Sequence, residues 1–150
     1  MRRYISLIFF LLVTTLVASF AGAFSPGEWY QGLNKPEWTP PNWLFGPVWS
    51  VLYLFIAIAG WLVWRAKGFG LALFLWFGQL ALNGAWSYLM FGENRIDSAM
   101  IDLMFMWLAI AAFMVTSWRL SRLAVLLFVP YLIWVTFAGA LNFALLQLNP

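Results

Sequence analysis

Apolar residues run almost without interruption along this chain, and short polar breaks divide them into five stretches, near positions 4–24, 43–64, 70–91, 96–118 and 123–148. Each is about 20 residues long, enough to carry a helix across roughly 30 Å of hydrocarbon. The pattern therefore predicts an all-α, polytopic membrane protein, a bundle of five transmembrane helices occupying residues 1–150 as one membrane domain. Only the segment 25–42 interrupts it at length. That segment holds Pro26, Gly27, Gly32, Pro36, Pro40 and Pro41, a composition that predicts an irregular or extended loop rather than a helix. Asn42 is placed to cap the second helix, with Pro47 in its first turns, where a missing N–H costs little. Pro130 lies deeper in the fifth helix and predicts a kink.

The first stretch has two readings. Arg2 and Arg3, an apolar run and Ala21-Gly22-Ala23 also have the form of a secretory signal peptide with its cleavage site. The run is longer than the roughly 7–15 apolar residues of such peptides, which favours a retained helix; an intact mass decides. Charge gives an orientation under either reading. Arg2, Arg3, Arg65, Lys67, Arg119 and Arg122 fall on one side of the predicted membrane, while Lys35 and Arg95 share the other with Glu28, Glu37, Glu93 and Asp97. Positive charge favours the cytoplasm, so the N-terminus is expected inside and the long first loop and C-terminus outside.

Composition narrows the chemistry. With 65% hydrophobic and 9% charged residues and a mean hydropathy of +0.87, the chain lacks the polar surface of a water-soluble domain. Its eight Lys and Arg residues are too dispersed to bind nucleic acid. There is no Cys and no His, hence no disulfide, no thiolate nucleophile, no imidazole base, no histidine ligand for haem and no usual zinc site. No metal site and no required cofactor are expected.

The few polar residues inside the spans recur at helical spacing, and a polar group facing hydrocarbon is costly, so each should face protein or a cavity. Gln79 and Asn83 share a face of the third helix, with Trp86 three residues on. Tyr131, Trp134, Ala138 and Asn142 follow the same rhythm in the fifth; Phe45, Trp49 and Tyr53 do so in the second. These three stripes are expected to wall a cavity for a flat apolar ligand, although helix-packing contacts and interfacial aromatic belts would explain any one of them. Asp102, two turns into the fourth helix, is either a ligand or proton-relay group or an anion eased by the helix N-terminus and water. Ala81 with Ala85, and Thr136 with Ala140 and Ala144, are small-residue pairs of the kind found at helix contacts; the first is the expected seam of a homodimer.

The loop and second helix read Trp29-Tyr30, Leu33, Lys35-Pro36, Trp38, Pro40-Pro41, Trp43, Phe45, Trp49 and Leu52-Tyr53. Asn83 with Trp86, then Pro130-Tyr131-Leu132-Ile133-Trp134, Ala138 and Leu141-Asn142, continue the series. This ordered set resembles the tryptophan-rich sensory protein (TspO) family, which includes the mitochondrial translocator protein, or peripheral benzodiazepine receptor. The resemblance covers nearly the whole chain. It implies a five-helix bundle, usually dimeric, that binds porphyrins and benzodiazepine-type or isoquinoline ligands in a pocket beneath the first loop, with links to sterols, stress and tetrapyrrole handling. By the same resemblance Trp49, Asn83, Trp86, Trp134 and Ala138 match pocket positions, and Trp29, Trp38 and Trp43 match the loop. The sterol element does not transfer: no Lys or Arg follows Tyr131 before Pro150, so the proposed Leu/Val–Tyr–Lys/Arg motif is missing there.

Three functions follow as expectations. The first is a receptor or sensor holding a porphyrin among the Trp faces. The second is light- and oxygen-dependent porphyrin breakdown, which the resemblance associates with the Trp positions matching Trp49 and Trp134. The third is transport of porphyrin or sterol, disfavoured because the chain shows neither repeated halves nor paired broken helices.

Overall fold

In a computed structural model describing residues 1–150, the chain forms α1 (Arg2–Gly22), α2 (Glu28–Gln31), α3 (Asn42–Lys67), α4 (Leu71–Ser87), α5 (Ile96–Ser117) and α6 (Arg122–Leu148). Four of these, α1, α3, α5 and α6, are each long and apolar enough to cross a membrane. With 17 residues, α4 is shorter, and a π-helical turn over Tyr88–Gly92 prolongs it. The third apolar run is thus not one uniform α-helix. Its π turn closes through the Glu93 amide on the Tyr88 carbonyl at 2.8 Å, and Asn94, at φ 56°, supplies the left-handed residue that ends it, a conformation Asn tolerates.

Two local expectations need correction. The loop is not wholly irregular, because α2 forms one helical turn in it. Asn42 does not cap α3 through its side chain; Pro41 occupies the N-cap and Asn42 is the first helical residue, which leaves the start of the helix without a side-chain cap. Through Pro130, α6 continues to Leu148. The ring leaves the Leu126 carbonyl without its usual amide donor, and Pro130 itself is exposed on the outer face.

The five long helices close into a ring in which α1 packs on α3 and α4, α3 on α6, α6 on α5, and α5 on α4. At one end Trp61 Nε1 donates to the Arg3 carbonyl (3.3 Å) and Ser6 Oγ (3.1 Å), joining the start of α1 to the end of α3. This basic end collects Arg2, Arg3, Arg65, Lys67 and Arg122 at helix termini and Arg119 in the turn between α5 and α6. At the opposite, loop end the Asn34 amide donates to Asn149 Oδ1, and Asn149 Nδ2 returns a bond to the Asn34 carbonyl, both at 2.9 Å. The loop is thereby fastened to the end of α6. Phe9, Phe74, Phe105, Val115 and Ile133 are among the large apolar residues exposed around the bundle, a surface suited to lipid rather than water.

The core is densest in the basic half, where Phe10, Ile56, Val63, Leu73, Trp76, Ile110, Phe113 and Phe128 pack together. Gly60 makes this possible: a Cβ there would lie 2.4 Å from Trp76 Cε2 and 2.9 Å from Phe10 Cδ1. The glycine lets the indole lie against α3, where Nε1 donates to the Ile56 carbonyl at 2.8 Å.

Candidate functional site

Polar groups at mid-bundle satisfy one another. The Tyr53 hydroxyl donates to Asn83 Oδ1 (2.6 Å), Asn83 Nδ2 donates to the Tyr131 hydroxyl (2.9 Å), and that hydroxyl donates to Gln79 Oε1 (2.7 Å). Gln79 Nε2 ends the chain on the Trp76 carbonyl at 2.8 Å. Gln79, Asn83 and Tyr131 are essentially inaccessible. Their hydrogen bonds tie α3, α4 and α6 together, and none of the three lines the two aromatic cavities nearer the loop. A second bridge lies nearer the loop: Trp86 Nε1 donates to Asn142 Oδ1 (3.0 Å), and Asn142 Nδ2 donates to the Ile96 carbonyl (3.1 Å).

Above this network the bundle loosens. One cavity, of ≈ 30 Å³, is bounded by Tyr30 of α2, Phe45 and Trp49 of α3, Trp86, Met90 and Phe91 from α4 and the π turn, and Trp134, Phe137, Ala138, Leu141, Asn142 and Leu145 of α6. That volume suits a water-sized guest and falls far short of the several hundred Å³ of ordinary ligand sites. A second cavity, of ≈ 380 Å³, lies between α1, α3 and the end of α4, beneath the start of the loop; its lining includes Ala18, Ala21, Gly22, Phe24, Gly46, Ser50 and Tyr53. Phe45, Trp49, Trp86 and Phe91 border both. Four aromatic side chains thus form the partition between a smaller, more enclosed space, the closed cavity, and a larger, more open one.

The walls of the closed cavity hold edge-on aromatic pairs, with Phe45 and Trp134 centroids 5.9 Å apart, Trp86 and Phe91 5.7 Å, and Tyr30 and Phe91 5.7 Å. Two of its polar atoms have no partner, the Tyr30 hydroxyl and Trp134 Nε1. Buried donors are seldom left so. Burial pushes the Tyr30 phenol up from its ordinary value, so it keeps its proton at neutral pH and remains a donor. Lys35 sits over the same ring at 4.8 Å, and its Nζ donates to the Gln31 carbonyl at 3.0 Å.

Of the residues nominated by spacing, Phe45, Trp49, Trp86, Trp134, Ala138 and Asn142 meet at the closed cavity, and Tyr53 borders the open one. The loop tryptophans do not line either. Trp43 is 72% exposed, and Trp38, half-exposed, lays its ring against Phe137 at 5.7 Å; Trp29 packs beside the small cluster around Tyr30 and Met90. Asp102 is 8% exposed and borders neither space, and its Oδ2 has no hydrogen-bond partner. Ala81 is exposed and Ala85 half-buried on the outer face of α4, whereas Thr136 accepts from Trp107 Nε1 at 2.8 Å, bridging α5 and α6.

Sequence reasoning missed Tyr30, Met90, Phe91, Phe137 and the contribution of α1. Leu141 and Leu145 continue the Trp134–Ala138 stripe and were within reach of the same spacing rule. The small residues of α1 offered no such signal, since they contribute space rather than chemistry.

A ring of apolar helices with a lipid-facing exterior and an aromatic cavity under a fastened loop defines a polytopic integral membrane protein. The family model for the TspO/MBR family matches residues 7–148. A protein named Protein CrtK from Rhodobacter capsulatus is 43% identical, the match covering 92% of this chain and 89% of the relative. A tryptophan-rich sensory protein from Cereibacter sphaeroides is 41% identical (93% and 89% covered), and the human translocator protein 38% (93% and 88%). The chain belongs to the TspO/MBR family of sensory and translocator proteins.

Proposed function

We propose that this protein is a receptor or sensor that binds a porphyrin, or another flat apolar molecule with a hydrogen-bonding edge, in the aromatic cavity beneath its first loop. The observation that carries the reading is the meeting of Trp49, Trp86 and Trp134 at one cavity in which Trp134 Nε1 and the Tyr30 hydroxyl have no partner. Indole faces stack on a flat ring system, and the two unpaired donors suit a carboxylate or carbonyl at its edge. A porphyrin far exceeds ≈ 30 Å³, so binding moves the Phe45–Trp49–Trp86–Phe91 partition toward the open cavity and joins the two spaces. No metal ligation enters the scheme. Positive charge sets the basic end toward the cytoplasm, which leaves the loop facing outward, and the exposed Ala81 with Ala85 is the seam for a second copy.

Titration of the purified protein with protoporphyrin, followed by Trp fluorescence quenching, tests this. Trp49→Ala combined with Trp134→Ala should weaken binding by at least about tenfold, equivalent to roughly 1.4 kcal/mol. Unchanged affinity sinks the reading.

A second reading rests on Trp49 and Trp134 facing the same space. A photoexcited porphyrin can take one electron from an adjacent indole and pass it to dioxygen as superoxide; the indole radical cation then regains its electron from the pigment, so the net step oxidises the bound pigment by one electron in light and restores the indole. Pigment loss under illumination that is no faster than in a control lacking both indoles, or that ignores oxygen, removes that reading and leaves binding intact.

A further inference from the structure

The basic end carries a feature that the aromatic site does not use. Six cations gather there without an acidic neighbour, while the molecule's one ion pair, Arg95 with Asp97 at 3.2 Å, lies at the loop end. Arg65 and Arg122 are set over indole rings, at 4.9 Å from Trp61 and 5.5 Å from Trp118. Lys67 and Arg119 differ. Both border a crevice of ≈ 370 Å³ between the end of α3, the start of α4 and the end of α5, and neither belongs to an ion pair. Val63, Leu73 and Leu120 add apolar walls. The crevice's rim continues onto a lipid-facing surface, because Phe69, Leu71 and Phe74 are each more than 60% exposed.

Two cations beside an apolar outer face are a matched pair of features. A soluble anion would use only the first, and a neutral lipid only the second. We propose that this crevice binds an anionic phospholipid, its phosphate held between Lys67 and Arg119 and its acyl chains lying along Phe69, Leu71 and Phe74. A zwitterionic headgroup brings its own cation toward Lys67 and Arg119 and so gains less. The first turn of α4 adds to the attraction without being its basis: it has no capping side chain and no acidic residue, so its amides face an anion unopposed.

Native mass spectrometry of the delipidated full-length protein tests the proposal, with phosphatidylglycerol, phosphatidylcholine and glycerol phosphate as probes. Phosphatidylglycerol should be retained about tenfold more strongly than phosphatidylcholine, in keeping with the attraction of each basic residue for an anionic leaflet. Lys67→Gln with Arg119→Gln should bring the two lipids to within about twofold. Arg2→Gln with Arg3→Gln removes the same charge from the same end and should leave the preference in place. Equal retention of the two lipids by the unaltered protein overturns the proposal. So does an equal loss in the Arg2 and Arg3 variant, which would mean diffuse attraction, or displacement of the lipid by equimolar glycerol phosphate, which would mean a soluble-anion site. If the Lys67 and Arg119 variant does not fold, Leu71→Glu at the exposed rim must abolish the preference instead.

Discussion

The interiors of the two halves of this bundle use tryptophan in opposite ways. In the basic half Trp76 is wholly buried, its Nε1 donating to the Ile56 carbonyl at 2.8 Å and its ring against the space Gly60 leaves. In the loop half Trp49 and Trp134 are only half-buried, each lines a cavity as well as packing on neighbouring rings, and Trp134 Nε1 has no partner. The difference lies in the neighbours. Where a glycine admits the ring and a carbonyl meets its N–H, the indole completes the core. Where Ala18, Ala21, Gly46 and Ser50 leave room that no ring fills, the indole becomes a wall. Sequence composition alone treats both as tryptophan in a membrane helix.

The sharpest way to break this contrast is to add a side chain to a glycine in each half. Gly60→Val places carbon 2.4 Å from Trp76 Cε2, and the ring cannot retreat without losing its bond to Ile56. Overpacking of this kind should cost about 3 kcal/mol and lower the thermal midpoint of the detergent-solubilised protein steeply. Gly46→Ala meets nothing within 4 Å and should leave that midpoint in place. Equal losses at the two positions would mean that the halves do not differ in packing.

Next in size is the boundary between them. Tyr131→Phe removes one hydroxyl that accepts from Asn83 and donates to Gln79, leaving two buried polar atoms unpaired. The expected loss is about 1–3 kcal/mol, read as a lower midpoint. A cost below about 0.5 kcal/mol would mean that water replaces the hydroxyl, and that the middle of the bundle is wetter than its burial indicates.

How much of this was legible beforehand follows from the same physics. Apolar runs of membrane length locate the helices to within a few residues, because hydrocarbon thickness fixes their length. The π turn at Tyr88–Gly92 escaped, since a one-residue change of phase leaves hydropathy untouched. Helical spacing correctly gathered Trp49, Trp86, Trp134 and Ala138 at one place. It could not separate them from Gln79, Asn83 and Tyr131, because a stripe that lines a cavity and a stripe that bonds to the neighbouring helix share one periodicity. What separates them is whether each polar atom finds a partner, and that depends on the other helices. The family pattern nominates Trp38 and Trp43, yet their exposure places them on the surface: Trp38 lies in a loop with no periodicity from which a facing can be read, and Trp43 sits in the first turn of α3, before the helix enters the bundle.

A third change fills the closed cavity. Ala138 lines it, and Ala138→Val adds two methyl groups where a ≈ 30 Å³ space already exists. Stability should shift by less than about 1 kcal/mol, while protoporphyrin affinity falls about tenfold because the walls no longer part as far. A fall in midpoint comparable with that of Gly60→Val would erase the distinction between the halves.

The smallest effect is expected at the fastening of the loop. Asn34 and Asn149 exchange two bonds of 2.9 Å, and Asn34 Nδ2 adds a longer one to the Leu148 carbonyl at 3.4 Å. All three are exposed to competition from water, so their joint contribution to global stability should be under about 1 kcal/mol. Their local effect is larger in kind, because they join a Pro- and Gly-rich loop to the end of α6, the helix that supplies half of the closed cavity's lining. Asn149→Ala should therefore leave the thermal midpoint nearly unchanged while hydrogen exchange in the α2 amides, which report local opening, speeds up several-fold. Porphyrin association and dissociation should both quicken, with the equilibrium affinity changing little, since the fastening restrains the cover without touching the cavity. If exchange in α2 is unaltered, the loop is held by Tyr30 and its packing against Phe91 and Met90, and the contrast between a rigid half and an openable half must be drawn at those side chains rather than at the two asparagines.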